Sequence, residues 1–418
     1  MTSECYVYIV LPGETAFVTA GRFTLRETRE GANVGEFIYG RSYRERANAV
    51  ALDPVNLRLQ PGKFETAMMD GFFGAIRDAM PDAWGRKVMD RHVGGQMSPF
   101  DYLLRAPDDR AGALGFGRNT EPPFPENEFN RTLDLERLQQ AADALIKGDP
   151  DLAGSVGQQA EDLLMLGGTS MGGARPKAVV EDGNALWVAK FVRTDDNYNQ
   201  PRTEHALLQL ARQCGLDAAD SRLTTVAGRD VLLVRRFDRD RTDDGYRRHR
   251  MVSAVTLLRT DDDPTTRRDW SYLLLADEIR RVSADPQEDL RELYRRMVFN
   301  AAVSNLDDHP RNHAVLAREN TWRLSPAYDL TPFAVISQER SLALDCGLHG
   351  RGANKANLVS GHGRFMLERE EATEIFDSIV ETVRDEWEPA LRRAGVGAAE
   401  CEQLGRAFVY EGLFFEKR

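Results

Sequence analysis

Along the first hundred residues, apolar positions come in short strand-like runs and then recur at helical spacing. Tyr6–Val10 and Thr15–Val18 read as strands around the turn Pro12-Gly13, with Glu36–Tyr39 and Ala49–Leu52 as further strands. Helical periodicity begins near Phe64 and continues through Met68, Phe72 and Ile76. The stretch from Asp78 to Gly85 interrupts it, and Arg86–His92 resumes it; Trp84, inside the interruption, reads as a packing plug. A proline-rich, acidic stretch from Asn119 to Asn127 is the best linker in the chain. After it, Leu133–Lys147 reads as an amphipathic helix with Leu135, Leu138, Ala142 and Leu145 on one face.

Further on, the glycine-rich segment Leu166–Lys177 leads into strands Ala178–Val180 and Leu186–Phe191 around Asp182-Gly183. A helix over Thr203–Cys214 and a hairpin of Arg222–Val226 with Val231–Val234 around Gly228 follow. From about Asp240 the pattern is mainly helical, over Trp270–Arg281, Leu290–Val303, Glu370–Arg393 and Glu400–Phe408. Two short apolar segments, His313–Leu316 and Trp322–Leu324, interrupt it and read as a hairpin. Strands followed by helices, without internal repeats, point to an α+β body with separate lobes rather than a doubly wound sheet.

Composition narrows the classes. The 418 residues are 42% hydrophobic and 29% charged, as in ordinary soluble chains, and long enough for two or three structural units. A net charge of −11 and a pI near 5.3 argue against a globally basic nucleic-acid surface. Cys5, Cys214, Cys346 and Cys401 lack metal-site spacing and read as reduced thiols. With no signal-peptide pattern and no run of membrane-spanning length, a cytoplasmic location is expected.

The chemistry concentrates between Asn305 and Asp329. Asp307 and Asn312 are five positions apart, the offset of the base Asp and metal-binding Asn in D-x-x-x-x-N of protein kinases, and Asp329 follows the hairpin as a second acidic centre. A carboxylate that accepts a hydroxyl proton, with an amide oxygen and a second carboxylate for Mg²⁺, is what phosphoryl transfer requires. Asp308 stands beside Asp307 and is an alternative working carboxylate, at the less fitting spacing of four. Upstream, the loop Gly167–Lys177 offers backbone N–H groups to phosphates but is neither a Walker A loop nor G-x-G-x-x-G. Trp187-Val-Ala-Lys190 resembles the strand lysine of V-A-I-K, and Glu204 on the next helix is its candidate partner, against the bland reading of an exposed helix-start acid. Val234–Phe237 leaves the hairpin where a hinge would meet adenine.

At these residues the chain resembles the HipA family, the serine/threonine kinase toxins of HipBA-type toxin–antitoxin systems. The resemblance rests on Ser170-Met-Gly-Gly-Ala-Arg-Pro-Lys177, Trp187–Lys190, Arg236-Phe-Asp-Arg239, Asn305–His313 and Pro326-Ala-Tyr-Asp329. Asp78–Gly85, Pro99-Phe-Asp-Tyr-Leu103 and Gly112-Ala-Leu114 are similar to the family's N-terminal subdomain. It implies an α+β, bilobal, protein-kinase-like fold with an additional N-terminal α/β subdomain (residues 1–125), a small lobe (126–240) and a mainly helical C-terminal lobe (241–418). It also implies ATP and Mg²⁺ as cofactors, with Asp307 as catalytic base and Asn312 and Asp329 as metal ligands. Gly172, Gly173, Ala174, Arg175, Pro176, Lys177, Lys190 and His309 would line the ATP phosphates, with Asn312 close by. Arg235, Arg236 and Phe237 would meet adenine through the backbone. Ser170 matches the family's self-phosphorylated serine, with Thr169 as its neighbour; a phosphate there carries about −1.5 to −2 charges and would be repelled from an ATP cradle. The implied partners are a protein substrate bearing Ser or Thr, such as an aminoacyl-tRNA synthetase, and a small HipB-like antitoxin through which DNA would be contacted. No membrane partner is implied. Competing readings are a small-molecule phosphotransferase, a non-catalytic co-repressor scaffold and, more remotely, a metal hydrolase built on Asp307, Asp308 and His309.

Overall fold

The computed structural model describes residues 2–125, 129–147, 164, 173–262 and 264–415. The chain divides into two compact units. The first comprises residues 1–194, 225–261 and 316–321; the second comprises 195–224, 262–315 and 322–418.

In the first unit, β1 (Thr2–Val10), β2 (Phe17–Glu27), β3 (Asn33–Tyr39), β4 (Lys63–Thr66) and β5 (Leu114–Gly117) form an antiparallel sheet in the order β4-β3-β2-β1-β5. Two expectations fail here for identifiable reasons. Ala49–Leu52 is not a strand, because its buried backbone finds tyrosine hydroxyls instead of a ladder. The Val50 and Leu52 N–H groups donate to Tyr43 and Tyr39 oxygens at 3.2 and 2.9 Å, and Tyr43 donates back to Val50 O at 2.7 Å. The apolar spacing from Phe64 to Ile76 does not mark one helix. Phe64 belongs to β4, and Met69, Asp70 and Gly71 take left-handed φ of 51°, 56° and 81° before a short helix, Gly74–Asp78. Gly71 suits that left-handed φ, and Gly35 on the neighbouring strand must also be glycine, since a Cβ there would lie 1.8 Å from the Gly71 carbonyl oxygen.

The same unit holds β6 (Asn130–Arg131), β7 (Lys177–Asp182), β8 (Ala185–Phe191) and β10 (Arg229–Arg235) in the order β6-β7-β8-β10; β9 (Ser221–Val226) leads into β10 through Ala227-Gly228. Both turn residues have positive φ, 48° and 76°, as a tight hairpin turn requires. Pleating sends Ala178, Val180, Ala189 and Phe191 to one face. There they meet Leu135, Leu138, Ala142 and Leu145 of the helix Leu135–Lys147, together with Trp84. The periodicity of that helix and the plug role of Trp84 are as expected. The region after Asp240 is less helical than its pattern suggests: β11 (Arg239–Thr242), β12 (Gly245–Arg248) and β13 (Arg250–Ser253) precede the first helix there. Their polar, arginine-rich sequences hide the alternation.

Helices Gln200–Gln213, Tyr272–Val282, Pro286–Ala302 and Arg369–Arg393 dominate the second unit. Asn199, Ser271 and Asp285 cap the first three, and Tyr294, Phe299, Phe365 and Phe376 fill the core. Ala314–Ala317 and Trp322–Leu324 are strands, close to their expected bounds. Among the described residues, no helix is long and apolar enough to cross a membrane.

Candidate active site

In the second unit the expected catalytic residues lie just past the end of helix Pro286–Ala302. Ser304 takes a left-handed φ of 52°, and the chain turns through Asp307 into a 3₁₀ turn, Pro310–Asn312. The two adjacent carboxylates then have different environments. Asp308 is 1% exposed, accepts a hydrogen bond from the Tyr272 hydroxyl and lies 3.1 Å from His313 Nε2. Asn300 donates to the same tyrosine oxygen at 3.0 Å, and Asn305 donates to Asn300 at 3.2 Å. Asp308 is thus engaged in holding the loop. Asp307 is exposed, and among the described residues its carboxylate has no hydrogen-bond or ion-pair partner. Partial desolvation, and then the charge of Asp329, push its pKa above the ordinary value, while Arg267 draws it back.

Asp329 has a φ of 59°, a conformation that Asp tolerates better than most residues. Its segment is pinned through Ala327, which bridges to Ala218 and donates to Asp217 O at 2.8 Å. Tyr328 donates to Arg311 O at 2.6 Å, tying this segment to the loop that carries Asp307. His309 accepts the Arg311 N–H on Nδ1 at 3.0 Å and packs edge-on against Trp270, with ring centres 4.3 Å apart. Burial lowers its pKa, so the imidazole is neutral at pH 7. Arg311 is itself held by both oxygens of Asp262. Asn312 is half-buried, and its N–H donates to His309 O at 2.7 Å. Glu204 is 6% exposed, so it is not a solvated helix-start acid.

Asp307, Asn312 and Asp329 supply hard oxygen donors, and the mutual repulsion of the two carboxylates suits a cation. Among the described residues no three of His, Cys, Asp and Glu gather as a preformed cage.

In the first unit, Thr169, Ser170 and Gly172 lie outside the described residues. Gly173 and Ala174 are exposed, Arg175 is half-buried, and Pro176 is buried with its carbonyl accepting the Phe191 N–H at 3.1 Å. Lys177 pairs with Asp82 at 2.7 Å, both side chains nearly inaccessible, and also donates to Gly173 O at 3.1 Å. Trp84 Nε1 donates to Lys177 O at 3.0 Å. The stem of the glycine-rich loop is therefore fastened to the start of helix Ala83–Val93, which Asp82 caps. Asp82→Ala would remove the buried carboxylate that pairs with Lys177, and a loss of about 3–5 kcal/mol is expected; an unchanged melting temperature would show that the pair contributes nothing. Lys190 is the direct cross-strand partner of Lys177, so both lysines share one face of the sheet. Arg235 is exposed, Arg236 is fully buried with its N–H donating to Leu186 O at 2.9 Å, and Phe237 is half-buried.

Sequence reasoning missed Asp82, Asp262, Trp270, Tyr272 and His313 as supports of these loops. Their contacts span 5–95 positions along the chain, and no local spacing signals them. The comparisons bear on the same stretch. The model of the HipA-like C-terminal domain matches residues 169–387, which include every site residue expected from the sequence. Y4mE of Sinorhizobium fredii, whose name marks it as a kinase candidate, is 28% identical over 341 residues, 74% of each chain. A similarly named Haemophilus influenzae protein is 25% identical over 173 residues, 38% of this chain and 49% of that protein. A chain of the Shewanella oneidensis MR-1 toxin–antitoxin complex of HipA, HipB and operator DNA matches in fold. Its TM-score is 0.70 at 16% identity, covering 96% of this chain and 94% of that one. With more than half of its length matched by the family model, the chain belongs to the HipA-like C-terminal domain family.

Proposed function

We propose that this chain is an ATP- and Mg²⁺-dependent serine/threonine protein kinase of HipA type, a toxin acting on a protein of the translation machinery. The observation that carries the reading is the division of labour between Asp307 and Asp308: one carboxylate has no partner among the described residues and feels the charge of Asp329, the other is buried and bonded. The kinase-candidate names of the relatives and the HipA–HipB complex among its structural neighbours support it.

In this reading the acceptor hydroxyl oxygen forms a bond to the γ-phosphorus, and its proton passes to Asp307. The bond from that phosphorus to the bridging oxygen breaks, and ADP leaves with the electron pair. Asn312 and Asp329 would hold Mg²⁺, which would supply positive charge against the phosphates. Lys190 and the segment Gly172–Lys177 receive the phosphates, Arg235–Phe237 offer backbone to adenine, and His309 shapes the phosphate side. Glu204 orients Lys190. Residues 1–125, 126–240 and 241–418 act as N-terminal subdomain, small lobe and helical lobe in a cytoplasmic protein with a HipB-like partner.

The test is incubation of the purified chain with labelled ATP and Mg²⁺, followed by mass spectrometry of phosphopeptides. Label on Ser170, absent from Asp307→Asn, is the expected result. Ser170→Ala should remove most self-labelling; label persisting at Thr169 would make the loop, rather than that serine, the target. Bound ATP without protein label would overturn protein kinase activity in favour of a small-molecule acceptor.

A further inference from the structure

The charged residues around the catalytic loop are mostly spoken for. Arg311 is clamped by Asp262, Arg323 by Asp289 at 3.0 Å, and Arg340 donates to Ser304 and to four backbone carbonyls. Arg267 is different. Among the described residues its guanidinium has no hydrogen-bond or ion-pair partner, and its Nε is buried without an acceptor. Yet it is not loose. Its guanidinium carbon lies 5.3 Å from the centre of the Trp270 ring. Trp270 is fully buried, its N–H donates to Arg267 O at 2.9 Å, and its ring packs against His309. The His309 N–H in turn donates to Asp307 O at 2.8 Å. The loop is thus linked to Arg267 through a rigid aromatic platform.

An arginine that serves packing alone ordinarily spends its five donors on carbonyls or carboxylates, as Arg340 does. One held over an indole, with donors unused among the described residues and acids nearby, is set for a planar or tetrahedral oxyanion that arrives later. Its charge reaches Asp307, where it opposes the combined repulsion of Asp329 and Asp308.

We infer that Arg267 is a further catalytic residue, whose guanidinium takes the oxygens of the phosphoryl group in flight between ATP and the acceptor hydroxyl. This rests on the phosphoryl-transfer reading above, and it adds a cationic partner that neither motif spacing nor family resemblance indicated. Arg267 sits 40 positions before Asp307, in a short 3₁₀ helix, Pro264–Asp269.

The test uses the full chain with Arg267→Met and Arg267→Lys. Binding of Mg·ADP, and of Mg·ADP with aluminium fluoride as a mimic of the transferring group, is measured by calorimetry alongside kcat and KM for ATP. Arg267→Met should bind Mg·ADP within about two-fold of wild type but lose about 10²–10³-fold in kcat, the usual cost of removing one preorganised donor to transition-state charge. The extra affinity given by fluoride should disappear with it, while KM stays nearly constant. Arg267→Lys should recover part of the loss, because it restores charge but not the planar fork. Wild-type response to fluoride and wild-type kcat in Arg267→Met would overturn the inference. So would parallel losses of Mg·ADP binding and melting temperature, which would mark Arg267 as structural. If wild type binds Mg·ADP but shows no transfer and no response to fluoride, the phosphoryl-transfer reading itself fails, and this inference with it.

Discussion

Replacing Asp307 with asparagine is expected to slow phosphoryl transfer by about 10²–10⁴-fold, the contribution of a positioned general base, while leaving the second unit as stable as before or slightly more so. The expectation follows from the surroundings of the carboxylate. It is exposed, has no bonded partner among the described residues, and is raised in pKa by partial desolvation of its carboxylate and then by Asp329. Removing its charge therefore breaks no contact and relieves a repulsion. Asp308→Asn should behave in the opposite sense. Its carboxylate accepts from Tyr272 and faces His313 in a dry interior, so the amide puts a donor where only acceptors fit. A loss on the order of 1–3 kcal/mol is expected from the mismatched hydrogen bonds. Single-turnover rates and melting temperatures of the two variants separate the roles. An Asp307→Asn enzyme that still turns over, or an Asp308→Asn enzyme that melts like wild type, would reverse the assignment.

That contrast also marks how far the sequence can be read. Asp307, Asn312 and Asp329 stand out because their types and spacing, within one stretch of chain, match what phosphoryl transfer would require. Which of Asp307 and Asp308 faces solvent is not visible, because it is decided by Tyr272, an aromatic 36 positions away on another helix. The helix Leu135–Lys147 was legible because one packed face imposes a 3.6-residue period. The segment Phe64–Ile76 carried a similar spacing by coincidence, across a strand, a left-handed turn and a short helix. Strands β11 to β13 escaped notice because Arg239, Arg248 and Arg250 are buried by ionic and carbonyl contacts rather than by hydrophobicity. Val234–Phe237 reads as a hinge that meets adenine through the backbone of Arg235–Phe237, yet the Arg236 side chain is buried in a network with Asp238 and Asp109 that spacing alone does not announce.

That network should be the most sensitive structural feature of the first unit. Asp238 accepts from Arg236 at 2.9 and 3.0 Å, from Arg239 at 2.8 Å and from the Gly112 N–H at 2.9 Å, while Arg236 also pairs with Asp109. All four charged residues are almost fully buried, two of each sign. Although burial pushes the Asp238 carboxyl up, Arg236 and Arg239 hold it well below the usual carboxylate range. Balance matters more than number here. Arg236→Met alone leaves two buried carboxylates against one guanidinium, and Asp109→Leu alone leaves the reverse; each should cost about 3–5 kcal/mol. In a unit of this size that lowers the melting temperature on the order of ten degrees. The double variant restores one charge of each sign, with Asp238 still bonded to Arg239 and Gly112, and should be markedly more stable than the sum of the single losses predicts. Calorimetric melting of the three variants measures this coupling. Strict additivity would mean that the charges act independently, and that the buried arginines are held by their carbonyl bonds to Arg110 and Gly112 rather than by their counter-ions.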